Sequence, residues 1–189
     1  MSSSNIRNYI IIILLGLAPL LNAESKRVIP LDMFLIIDGS ASFQDSQSDA
    51  LAWLNNQVVD RILMDGDRVT IWAAGDSAEV VFSGDISGRK EELKNTLASM
   101  SLTGRNADFS GALVDAAARA SRVSQDRLAY TMLITASAEG LERALTGSAR
   151  ELFRWFRSER FERWQVLVVG PDLTPRVREA AASYMRSVQ

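Results

Sequence analysis

Asp38, Ser40 and Ser42 stand at alternate positions in Asp38-Gly39-Ser40-Ala41-Ser42, directly after the apolar run Met33 to Ile37. One carboxylate and two hydroxyls, separated by small residues, form a hard-oxygen set of the kind that suits a divalent cation such as magnesium. The same oxygens also suit a second task, accepting bonds from the orphan amides that open a helix. On this pentapeptide alone both readings stay open.

Other chemistries are excluded by what the chain lacks. It has no histidine, which removes the commonest general base, the Ser-His-Asp triad and the usual zinc or copper ligand. It has no cysteine, so disulfides, acylated-cysteine anchors and thiol chemistry are absent. Gly75-Asp76-Ser77 reads as a hairpin turn rather than a hydrolase motif. Asp38 as a phosphoacceptor would want an acidic pair and a later lysine, or an Asp-x-Asp motif, and neither pattern is present. There is no Gly-rich phosphate loop. An enzyme built on Asp38 or Ser40 would have only Lys, Asp, Glu or Tyr as its base.

The elements that must position Asp38 follow from periodicity. Met33 to Ile37 is short and unbroken in its apolar character, as expected of a strand buried on both faces of a parallel sheet. Ligands of such sheets bind beyond the carboxyl ends of the central strands, where Asp38 falls. Ser46 to Asp49 resembles a capping box, and Leu51, Leu54, Val58 and Ile62 carry a helix to about Met64. Val69 to Ala74 and Ala78 to Phe82 are strands joined by so short a link that they must be antiparallel, which places the second at a sheet edge. A helix is expected between about Gly88 and Met100.

Next, Asp108 reads most simply as the cap of an alanine-rich helix (Ala112, Ala116, Ala117, Ala118, Ala120). Tyr130 to Thr135 and Trp164 to Val169 are further strands, with helices expected at about 148–157 and 175–186. Strands alternating with helices predict an α/β, doubly wound, mostly parallel Rossmann-like sheet with helices on both faces.

These fragments, in order, resemble the von Willebrand factor type A family. The resemblance rests on Asp38-x-Ser40-x-Ser42, Gly66-Asp67-Arg68-Val69, the Gly75–Phe82 hairpin, Gly104 through Ala112-Leu113, Met132–Thr135 and Val166–Gly170. It implies strand order 3-2-1-4-5 with an antiparallel edge strand, the last strand of the common family core being absent. It also implies a metal-ion-dependent adhesion site, of which Asp38, Ser40 and Ser42 are the first part. Here the chain departs from the family. Ala107 stands where a threonine is usual, and Ala136 where a second aspartate is usual. A degenerate site of this kind predicts no cofactor, or magnesium held weakly. Arg105 is expected near Asp38 as a cation in the metal's place.

The first 23 residues read as a secretory signal peptide: Arg7 is the only charge, Ile10 to Leu21 is almost wholly apolar, and Ala23 closes the segment. An uncleaved membrane anchor is the lesser alternative. Cleavage would leave residues 24–189 as a single domain, periplasmic or secreted, with net charge changed from −2 to −3 by the loss of Arg7. No basic excess points to nucleic acid. Arg150, Arg154, Arg157, Arg160 and Arg163 interleave with Phe153, Trp155, Phe156, Phe161 and Trp164. One reading is a basic-aromatic patch for an anionic partner or a membrane surface. The favoured one takes Leu152, Phe153 and Phe156 as the buried stripe of a helix with the arginines on its solvated face, and Trp155 lies off that stripe.

The expectation is therefore an exported, non-catalytic interaction module. Its partner would be another exported or membrane protein, with no small-molecule substrate. Recognition would use Gln44, Asp45, Arg105, Asn106, Asp108, Ser137 and Glu139 at the sheet's carboxyl edge, or Trp155. A weak magnesium-dependent adhesion module and a structural scaffold of an envelope complex are the alternatives.

Overall fold

The computed structural model describes residues 27–135 and, as backbone, 164–169. β1 (Leu31–Asp38) lies at the centre of a five-stranded sheet, and every one of its residues is buried. Around it run β2 (Arg68–Ala74), β3 (Ala78–Asp85), β4 (Leu128–Ile134) and β5 (Trp164–Val169). Their order in space is β3-β2-β1-β4-β5, as expected. Only the β2–β3 pair is antiparallel among these neighbours. A β-bulge interrupts it, with Ile71 opposite Phe82 and Trp72 opposite Val80.

Side-chain alternation along β1 divides the interior into two cores. Leu31, Met33, Leu35 and Ile37 face α1 (Gln44–Trp53), the π-helical stretch Leu54–Val59 that continues it, and α2 (Lys90–Ser99). Phe34 and Ile36 face α3 (Phe109–Ala120) on the opposite side. Among the described residues, helices therefore cover both faces. The small residues Ala112, Ala116 and Ala120 recur every fourth position on the buried side of α3. They leave room there for Trp72 and Phe34, whose ring centroids lie 6.1 Å apart. The Trp72 indole donates to Asp115 at 3.1 Å, and Arg119 stacks over its ring.

The first helix corrects an expectation. It does not start at a Ser46 capping box, because Ser46 already lies inside α1. A 3-10 turn over Ala41–Phe43 precedes it, closed by the Phe43 amide donating to the Ser40 carbonyl at 3.0 Å. Phe43 is fully buried, and that anchor draws the chain into helical conformation several residues early. β3 runs to Asp85, beyond the expected Phe82, because it stays paired with β2 as far as Arg68. β4 starts at Leu128, two residues before the expected Tyr130, where it pairs with Leu31. The helices expected at about 148–157 and 175–186 lie outside the described residues.

Candidate functional site at the carboxyl edge of the sheet

Three loops meet beyond the carboxyl ends of β1 and β2: residues 38–42, 75–77 and 103–108. Backbone bonds stitch them together. Gly39 N donates to Ala74 O, Gly104 N to Gly39 O, Ala41 N to Gly104 O and Asp108 N to Gly75 O, each at 2.8 Å. Ser40 and Gly104 form an isolated parallel bridge. Such close approach needs glycine. A Cβ on Gly104 would stand 2.7 Å from the Gly75 Cα, and one on Gly39 would stand 2.9 Å from the Gly75 nitrogen.

Asp38 lies beneath this platform and is 0% exposed. Both of its carboxylate oxygens are engaged. Oδ1 accepts from the Ser40 amide at 2.8 Å, and Oδ2 accepts from the Thr135 hydroxyl, at the end of β4, at 2.6 Å. The Ser40 and Ser42 hydroxyls share a hydrogen bond of 2.9 Å. Spacing thus brings the three expected oxygen carriers together, and each has a hydrogen-bond partner within the protein.

A magnesium ion wants about six oxygens near 2.1 Å and usually rests on one or two carboxylates plus waters. Among the described residues no group of three or more Asp, Glu, His or Cys side chains gathers that would hold a metal. Ala107, where the resemblance would lead one to expect a threonine, packs its methyl against the α3-side core. Among the described residues the donor set around Asp38 is thin for such an ion: one buried carboxylate, with one hydrogen bond accepted at each oxygen, and two hydroxyls.

The remaining candidates separate into engaged and open groups. Asp108 caps α3, its Oδ1 accepting from the Gly111 amide at 2.9 Å. Gln44 is exposed and its Nε2 reaches the Leu102 carbonyl at 3.4 Å. Asp45 is exposed in the first turn of α1. Arg105 and Asn106 are exposed on the third loop. Among the described residues no ion pair joins Arg105 to Asp38, whose carboxyl oxygens accept instead from an amide and a hydroxyl. Ala136, Ser137, Glu139 and Trp155 lie outside the described residues.

Asp76 is the residue that sequence reasoning passed over. It was legible only as part of a turn. In the fold its Oδ1 accepts from two successive amides, Arg105 at 2.9 Å and Asn106 at 3.1 Å. The local signal was an aspartate following glycine at a strand end, but its partners lie 29 and 30 residues further on. A shallow groove lined in part by Asp32, Phe34, Arg68, Thr70, Ser83 and Arg119 opens elsewhere, near the starts of β1 and β2 and away from this edge.

The fold is shared by proteins of little sequence similarity. A von Willebrand factor type A structure from Catenulispora acidiphila is 18% identical, with a TM-score of 0.51, covering 83% of this chain and 43% of that one. The conserved hypothetical protein BatB from Bacteroides thetaiotaomicron is 21% identical, with a TM-score of 0.56, covering 74% of this chain and 66% of that one. Proximal thread matrix protein 1 from the mussel byssus is 14% identical, with a TM-score of 0.58, covering 75% of this chain and 37% of that one. The chain thus spans less than two thirds of the length of each. No family model matches the sequence, and no curated protein does.

Proposed function

We propose that this chain, which has the von Willebrand factor type A fold, is an exported, non-catalytic protein-interaction module. It meets its partner at the carboxyl edge of the sheet without a divalent ion. The observation that carries this reading is the buried Asp38 carboxylate, hydrogen-bonded within the protein through both oxygens, beneath three loops fixed to one another. What remains exposed above it is a set of side chains suited to contact: Gln44, Asp45, Arg105 and Asn106, with Ser42 beside them. The lack of histidine and the burial of Asp38 support the non-catalytic part. The apolar segment from Ile10 to Leu21 supports export, and so points to another exported or membrane protein as the partner.

Photo-crosslinking on residues 24–189 tests this. A crosslinking residue placed at Ser42 or Asn106 should give a partner adduct, and one at Ser87 near the opposite end should not. The adduct should survive chelator. Loss of the adduct with chelator would move the reading to a magnesium-dependent adhesion module. Adducts from Ser87 alone would favour a scaffold role. Melting gives a second check, since a ligand that binds only the folded state at 100-fold its dissociation constant adds roughly 2.7 kcal/mol. Millimolar magnesium, manganese or calcium should leave the melting temperature unchanged.

A further inference from the structure

We infer that Asp38 and Asp76 are positioning residues that hold the partner-facing edge in register without an ion. This inference rests on reading that edge as the contact surface. A metal draws the oxygens of several loops towards one cation. Here the polarity is reversed, and two carboxylates draw amide and hydroxyl hydrogens of several segments towards themselves. Asp38 joins the β1 exit loop to the end of β4, through the Ser40 amide and the Thr135 hydroxyl. Asp76 joins the β2–β3 turn to the loop before α3, through the Arg105 and Asn106 amides. Between them the two acceptors reach four separate stretches of chain.

The two carboxylates act at different depths. Asp38 is fully buried, so an oxygen there without a donor would carry the full penalty of lost hydration. Asp76 is exposed and has water as a competitor, so its value is directional. It fixes the backbone from which the Arg105 and Asn106 side chains project. A surface ordered in this way before contact loses less conformational entropy when a partner arrives.

Amide hydrogen exchange on residues 24–189 tests this without any partner. Asp76→Ala should lower protection at the Arg105 and Asn106 amides by about tenfold or more, while the β1 amides keep theirs. Asp76→Asn keeps the Oδ1 acceptor and should preserve protection. Thr135→Val should lower protection at the Ser40 amide, and Thr135→Ser should retain it. Millimolar magnesium should change none of these rates. The inference is overturned by unchanged exchange in Asp76→Ala, by equal damage from Asp76→Asn, or by magnesium raising protection at Ser40, Arg105 or Asn106. Failure of the interaction reading would look different: exchange as expected, but no adduct from Ser42 or Asn106.

Discussion

A Cβ at Gly104 would meet backbone on three sides, at 2.7 Å from Gly75 Cα, 2.9 Å from Asp76 N and 3.0 Å from Asn106 O. None of these is the end of a flexible side chain, so the loops themselves must move to admit a methyl. Gly104→Ala should cost about 1–3 kcal/mol in urea denaturation, as overpacking of a fixed interior does. Gly75→Ala is the matched control. Its Cβ would find its nearest neighbour at 3.7 Å, an ordinary contact, so a change within about 0.5 kcal/mol is expected. At this scale the sequence was legible where partners are near. Asp108 could be read as a cap because the amide it accepts from is three residues away. Thr135 and Asp38 are 97 residues apart, and no local pattern announces that hydroxyl as the donor.

β3 ends the strand order, and an edge strand presents unpaired backbone groups to any other chain. Val80 and Val81 are 42% and 38% exposed on it. Two features guard it. The bulge beside Val80 disturbs the ladder. Glu79 and Asp85 place carboxylates near its two ends, and the Ser87 hydroxyl and amide hold the Asp85 carboxyl below its usual range, so it stays charged. Glu79→Val should therefore give larger species than the wild type in a sedimentation concentration series. An unchanged profile would mean that the bulge alone suffices. The edge placement of β3 was legible from its short link to β2. Its bulge was not, because register irregularities depend on the partner strand rather than on the strand's own alternation.

On the scale of the whole sheet, the two ends are closed by different chemistry among the described residues. At the end opposite the candidate site, ion pairs do the work. Arg127 donates to Asp32 at 2.6 Å and to the Leu31 and Gly66 carbonyls at 3.1 and 3.0 Å. Arg27 pairs with the fully buried Asp67, which also accepts from the Leu31 and Met64 amides. Arg127→Met would remove the ion-pair partner of Asp32, which shares its groove with Arg68 and Arg119, and a loss of about 1–3 kcal/mol in denaturant unfolding is expected. The fold class and strand order were legible because apolar periodicity repeats over whole elements and averages out local exceptions. The chemistry of the ends rests on single side chains far apart in the chain, and there periodicity is silent.

The mutual contact of Gly39, Gly75 and Gly104 also bears on how this surface can be altered. Loops that touch backbone to backbone cannot be lengthened one at a time, since an insertion in any of them must displace the other two. New specificity is therefore open to substitution rather than to grafting. Libraries that vary Ser42, Gln44, Arg105 and Asn106 at fixed loop length should keep a folded scaffold, whereas libraries that vary loop length should mostly lose it.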